Sequence, residues 1–506
     1  MSLAQALGPQ AVVTAERGLQ AFVFGGAVAD DGCVAAILPR SVEEVDLAVA
    51  LCAQHGTPIV GRGHATSLAP LSLGPFANTD RGGEAPPFVI LSTQRLTSQC
   101  RVDEANGLVI ADAGVTLARL HAAAARAGLA PRLAFEAETI MTIGGAIASG
   151  ALGIGAWGRE LIIAACHDVE VVTAALGRTG WAVTGAEAGL VAPSPSHVWR
   201  AGIGQGAGAI ITRASFPLQA RSEAEETLVY RHGSVEPAIE AFRFSGAATV
   251  AGLDRLAWDV IDARTAAYAC AREPALVEFA GAVQEGGAVT VVRLAGRSDE
   301  VADAVAAFGT ALVGFGAQTL HDVKSARRRP SNREALGERS ARAGQALAAA
   351  IYLLPSGARP RFAALFDAPP DAMSAVVGAL AATALPAGLF AGFRAGLCES
   401  KILVALGTTH ALARRGGQPR LDDLAEAIRE LHARLGDCGA VATSGVGSGE
   451  AGDGAQAEIE DMVRRACSEP FSALNPGVPG TRNDTSRAAL GQFADRGRLR
   501  RPWEGA

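Results

Sequence analysis

The chain has 506 residues, 49% of them hydrophobic and 19% charged, so it is long enough for about two to four domains and apolar enough to bury large cores. A net charge of −6 argues against the basic face that nucleic-acid binding requires, and the one dense basic run, Arg327, Arg328 and Arg329 before Pro330, reads as a solvated loop.

In chain order, MSLAQALGPQ lacks the basic and apolar regions of a signal peptide. An apolar run at 34–38 ends at Pro39, and 41–56 reads as a helix. Ser41 and Glu44 are spaced as a capping box, Val45, Ala48, Val49 and Cys52 form one apolar face, and Gly56 ends it. Strands are predicted at 58–61, 88–92, 108–114, 168–174 and 209–218, with a helix from Leu117 to Gly128. After the Glu-rich 222–226 the pattern changes to strands at 227–231 and 288–296, with helices at 297–308 and 333–350. The 421–436 segment is an amphipathic helix, and the tail after Gly480 is polar and poorly patterned.

Eight scattered cysteines form no CxxC pair, which argues against a zinc ribbon or iron–sulfur ligand set and for reduced thiols in a cytoplasmic protein. Two uncharged stretches have the length of a membrane span. The first, 139–157, holds five glycines and reads as loop, while 372–393 holds Pro386 and three glycines and reads as a buried helix followed by a strand.

Three glycine-rich segments carry the chemistry. VGRGHATS (60–67) follows a strand, and its Gly61 and Gly63 are free to take positive φ and turn successive backbone N–H groups toward one anion. Arg62, Thr66 and Ser67 add donors, although a plain tight turn has the same signature. MTIGGAIASGALGIGAWG (141–158) has too many glycines for a helix and too few polar groups for a solvent loop, as expected where backbone lies against a flat ligand. The third segment, 198–218, holds a GxGxxA at Gly202, Gly204 and Ala207, but a strand follows it where a dinucleotide fingerprint would open a helix.

Taken in order, these motifs resemble the FAD-linked oxidases of the vanillyl-alcohol oxidase/p-cresol methylhydroxylase type. The matching residues are Pro39, Arg40, Ser41, Glu43, Glu44 and Val45; then Arg62, Gly63, Thr66 and Ser67, with Ala65 replacing a glycine. They continue from Val102 through Gly114 to Leu120, then Thr142, Ile143, Gly144, Gly145, Ser149, Gly150 and Gly153. The strand Ala209, Ile210, Ile211, Thr212 and the run Leu474, Asn475, Pro476, Gly477 complete the set. The similarity is good over 30–220, loose over 380–480 and weak between, and the nearest branch looks like D-lactate dehydrogenase and the glycolate oxidase FAD subunits.

The resemblance implies an α+β protein: an N-terminal segment (1–29), a two-lobed FAD-binding domain (30–220), an α+β cap that meets substrate (221–420), a return onto the FAD domain (421–480) and a tail (481–506). FAD would be held by Pro39, Gly61, Arg62, Gly63, His64, Ala65, Thr66, Ser67, Thr142, Ile143, Gly144, Gly145, Ser149, Gly150, Ile210 and Ile211. Thr66 stands where flavin-tethering relatives carry a histidine, so the FAD is expected to be non-covalent; His64 reads as a neutral hydrogen-bonding loop residue. In the branch, HxGDGNxH and GEHGIG supply metal ligands and a catalytic histidine. RAGLCESK (394–401) and GEAGDG (449–454) fall there instead, with Arg394, Lys401 and Ala451 in the histidine slots, so no metal is expected.

Arg394 and Lys401 then either form a cationic pocket for an anionic substrate or are ordinary strand residues, and Glu450, His410 and Glu399 are the remaining candidates for a base. The expected activity is oxidation of a small alcohol or hydroxy acid, with electrons passed to oxygen or a redox partner. The alternative is a catalytically silent FAD-binding subunit of a larger oxidase. Neither a membrane span nor a nucleic-acid partner is expected, and the assembly would be a homodimer or a hetero-oligomer.

Overall fold

The computed structural model describes residues 2–15, 18–19, 22, 33–64, 87–135, 138–156, 158–174, 177–182, 209–247, 252–263, 266, 286–319, 362–367, 372–382, 389–396, 401–408, 430, 433–439 and 441–443. The expected helix at 333–350, most of that at 421–436, the three-arginine run and the tail lie outside them.

A short helix α1 (Leu3–Leu7) precedes the first sheet, built from β1 (Val12–Val13), β2 (Cys33–Ile37), β3 (Ile59–Arg62) and β4 (Phe88–Ser92) in the order β1-β2-β4-β3. β4 runs parallel to both β2 and β3. Parallel neighbours need a crossover, and helix α2 (Val42–Gln54) carries the chain from β2 to β3. Its predicted apolar face is buried, and Val45 and Val49 on it each stabilise by about 1.5–3 kcal/mol. Ser41 Oγ accepts the Glu44 N–H at 3.3 Å, but the expected box does not close on Ser41: the Glu44 carboxylate accepts from the Arg40 N–H instead.

The second sheet takes β5 (Cys100–Asp103), β6 (Leu108–Asp112), β10 (Asp168–Thr173), β11 (Gly177–Ala182) and β12 (Ile210–Ala220) in the order β11-β10-β12-β6-β5, with β7 (Leu129–Pro131) paired to the far end of β12. Helix α3 (Leu117–Arg126) is capped by the Thr116 hydroxyl. One apolar core joins this sheet to the inner faces of α2 and β2.

The glycine-rich 141–158 segment departs from its expected loop. It forms helix α4 (Ile143–Ser149) and the hairpin β8 (Leu152–Gly155) with β9 (Gly158–Leu161). Thr142 Oγ1 caps the helix by accepting the Gly145 N–H at 3.3 Å, and Gly150 closes it in the left-handed conformation at φ 63°. Composition misleads here because the glycines answer to close packing: a methyl on Gly144 would stand 2.7 Å from the Ala113 Cβ.

Beyond Ala220 the chain enters a third, antiparallel sheet. Its strands are β13 (Ala224–His232), β14 (Leu253–Asp262), β15 (Ala288–Gly296), β16 (Gln318–Thr319), β17 (Phe362–Asp367), β18 (Leu389–Gly396), β19 (Lys401–Thr408) and β20 (Val441–Thr443). They are ordered β16-β13-β15-β14-β18-β19-β17-β20. Helices α5 (Val235–Ala247), α6 (Ser298–Gly314) and α7 (Met373–Ala382) pack on one face, where Trp258 meets Phe308 edge-on at 5.3 Å. The helix expected at 297–308 thus runs on to Gly314. The opposite face of β14 lies on the β8–β9 hairpin.

Candidate cofactor site

The site is built where the end of β3 meets the start of α4. Neither Gly61 nor Gly63 takes the positive φ expected of it; both are bare because of what lies against them. A Cβ at Gly61 would stand 2.8 Å from Ile210 Cδ1, and one at Gly63 would overlap the Thr142 hydroxyl and lie 3.6 Å from the Gly145 Cα. The two bends, 79 positions apart at Gly63 and Thr142, are therefore in van der Waals contact.

Hydrogen bonds hold them in register. His64 Nδ1 lies 3.1 Å from the carbonyl oxygen of Ile140. A carbonyl can only accept, so Nδ1 carries the proton and Nε2 is the acceptor in the neutral ring. Gln94 Nε2 donates to the Gly63 carbonyl at 3.2 Å, and the buried Thr93 hydroxyl donates to that of Arg62 at 3.4 Å.

The backbone donors divide unequally between the bends. In α4 the first amides are already used: Ile143 N–H bonds the Val115 carbonyl at 2.9 Å, Gly144 N–H that of Ala113 at 2.9 Å, and Gly145 N–H the Thr142 hydroxyl. Among the described residues, none accepts from the N–H of Gly63 or His64. Of the described amides at this junction, those of Gly63 and His64 are therefore the ones left to face an anion. Glycine at 61, 63 and 145 lets the bends close on one another, because a Cβ at any of the three would meet Ile210 or Thr142.

Ile210 and Ile211 are buried at the start of β12, with Ile210 against Gly61. Pro39 is buried just past β2. The Ser149 hydroxyl turns back to the Ala146 carbonyl at 3.3 Å. Ala65, Thr66 and Ser67 lie outside the described residues.

Sequence reading missed the charged groups under the site. Asp112, fully buried on β6, accepts from Arg213 Nε at 3.0 Å, the Ser98 hydroxyl at 2.8 Å and the Gln99 N–H at 2.7 Å. Glu170, buried on β10, accepts from Arg178 Nε and from the Thr212 hydroxyl, each at 2.8 Å. Their sequence separations, up to 101 residues, leave no local signal.

His410 and Glu450 lie outside the described residues; Arg394 and Lys401 lie within β18 and β19. Arg394 pairs with Ile261 on one side and Leu403 on the other. With two-residue alternation, positions 394 and 401 share the sheet face of Asp259 and Arg293, which is the face turned away from α5 and α6. There the buried Asp259 carboxylate accepts from Arg293 Nη2 at 3.1 Å.

Residues 34–181, which contain both bends, match the family described as "FAD binding domain". They form an FAD-binding domain. The chain is similar in fold to the structure of p-cresol methylhydroxylase with substrate bound (13% identity, TM-score 0.63, 96% of each chain covered). It is similar in fold to 4-ethylphenol oxidase from Gulosibacter chungangensis in its isoeugenol complex (16% identity, TM-score 0.62, 87% of this chain and 86% of that one). It also resembles alkyldihydroxyacetonephosphate synthase (13% identity, TM-score 0.61, 92% of this chain and 83% of that one). No curated protein sequence matches the chain. Among the described residues, no helix is long and apolar enough to cross a membrane.

Proposed function

We propose that the chain is an FAD-dependent oxidoreductase that oxidises a small anionic alcohol or hydroxy-acid-like substrate, with FAD held non-covalently and no metal ion. The packed junction of Gly61–His64 with Ile140–Gly145 carries the reading, since it brings two glycine bends into contact inside an FAD-binding domain and leaves the Gly63 and His64 N–H groups to line a cradle. The N–H groups of 63–67 would face the diphosphate, and α4 would lie against the cofactor without side chains between. Bound there, FAD supplies the hydride acceptor.

The remaining tasks fall to the chain. Arg394 and Lys401, on the sheet face shared with Arg293, would bind and orient the substrate's anionic group. The substrate's hydroxyl proton goes to a base, for which His410 and Glu450 are the candidates. Arginine, lysine and alanine at 394, 401 and 451 supply no metal ligand, which supports metal independence.

Anaerobic titration with 2-hydroxy acids tests the proposal. The flavin absorbance near 450 nm should bleach, and Arg394→Ala should raise the substrate concentration required at least tenfold. Bleaching by uncharged alcohols alone, or unchanged by Arg394→Ala, would remove the anionic-substrate reading.

A further inference from the structure

Among the described residues, one buried guanidinium of the third sheet hydrogen-bonds the main chain of the FAD-binding domain. Arg255, on β14, is 9% exposed. Its Nη2 donates to the Pro131 carbonyl at 3.0 Å and its Nε reaches the Arg132 carbonyl at 3.4 Å, 124 and 123 residues away. Nη1 lies 3.4 Å from a carboxylate oxygen of Glu225 on the neighbouring side of its own sheet. One side chain of the third sheet thus closes off two main-chain acceptors of the other domain.

The acceptors are themselves fixed. Pro131 is paired with Leu218 in β12. Arg132 Nη2 pairs with Glu160 at 2.7 Å and donates to the Ala164 carbonyl at 3.3 Å. Two residues on, Ala134 exchanges both backbone hydrogen bonds with Ile154, at 3.1 and 2.7 Å. Ile154 belongs to the hairpin that leaves α4 just after Gly150. A short covalent and hydrogen-bonded path therefore runs from Arg255 through 131–134 and the hairpin to the helix that packs on Gly63.

We infer that Arg255 is a positioning residue: it sets the height and tilt of the third sheet on the FAD-binding domain by capping the Pro131 and Arg132 carbonyls, and through them how well the domain's cofactor is shielded. Its planar fork supplies donors in fixed directions, which a lysine ammonium does not. The Glu225 pair adds little, because that carboxylate is largely exposed. Arg255 touches none of the cradle residues, so cofactor affinity and cofactor shielding should separate.

The inference rests on the FAD reading for one of its two readouts. The experiment compares wild type, Arg255→Ala, Arg255→Lys and Glu225→Gln as full-length holoprotein. Iodide quenching of the bound flavin's fluorescence reports shielding, and amide hydrogen exchange over 129–134 reports the joint without needing flavin. Arg255→Ala should raise the quenching constant at least threefold and exchange at 129–134 at least tenfold, with the FAD dissociation constant changed less than twofold. Arg255→Lys should fall between, and Glu225→Gln should match wild type. Should Arg255→Ala fail to fold, Arg255→Lys carries the test. Wild-type quenching and exchange in the arginine variants, or a Glu225→Gln effect as large as theirs, would overturn the inference. A wild type that binds no FAD while exchange still rises in the Arg255 variants would sink the FAD reading and leave the joint standing.

Discussion

His64 Nδ1 and the carbonyl oxygen of Ile140 meet at 3.1 Å across 76 residues of sequence, joining the two bends that frame the cofactor cradle. An asparagine amide can donate from nearly the place of Nδ1; alanine cannot. His64→Ala should therefore weaken FAD binding about three- to tenfold, the worth of one hydrogen bond of about 1 kcal/mol, and His64→Asn should restore most of it. Equal dissociation constants for the alanine variant and wild type, measured by flavin fluorescence, would contradict this role.

Gly63 is bare because Thr142 stands against it. Gly63→Val must push the bends apart, at a cost of about 1–3 kcal/mol in stability. The larger consequence is loss of the cradle: the variant should purify folded by circular dichroism yet colourless. Flavin retained at the wild-type ratio would show that the junction does not hold the cofactor.

The Asp112–Arg213 pair binds β6 to β12 beneath the same junction. Asp112→Ala leaves the Arg213 guanidinium, 8% exposed, without this carboxylate. Stability should fall by about 1–3 kcal/mol in urea unfolding, since a buried guanidinium loses one charged hydrogen-bond partner. A loss below about 1 kcal/mol would mean that other groups already neutralise the arginine.

Burial pushes the His232 imidazole down from 6.5 to about 4, while Nε2 lies 3.0 Å from the Thr290 hydroxyl. Its pKa is lower folded than unfolded, so between those values the unfolded chain binds more protons. Stability present above pH 6.5 is lost as pH falls toward 4, by as much as about 3 kcal/mol. Burial also lowers the pKa of His121, which adds a loss of the same sign. His232→Asn should flatten, without abolishing, the fall of the urea midpoint over this pH range; an unchanged slope would exclude His232 as a source.

Much of this was legible in the sequence where the signal is local. The strand at 288–296 and the cap at Ser41 were read correctly because alternation and capping residues act over a few positions. Gly61 and Gly63 are glycine for another reason than the one read: close approach by Thr142 and Ile210, not positive φ. The α4 helix was hidden because its glycines oppose helix formation in isolation, and packing against Ala113 overrides that preference. Asp112, Glu170 and Arg255 were invisible because each has a deciding partner on a distant strand or loop: Arg213 at 101 residues, Thr212 at 42 and Pro131 at 124.

The central claim is that the Gly61–Ser67 and Thr142–Gly150 bends together hold one FAD. The most direct measurement is the flavin content of the purified full-length chain, read from absorbance after acid precipitation and repeated after incubation with excess FAD. The account predicts a yellow protein that releases one FAD per chain into the acid supernatant, with none left on the precipitate. A colourless protein that takes up no added FAD would contradict it, and flavin that stays with the precipitate would contradict the non-covalent linkage.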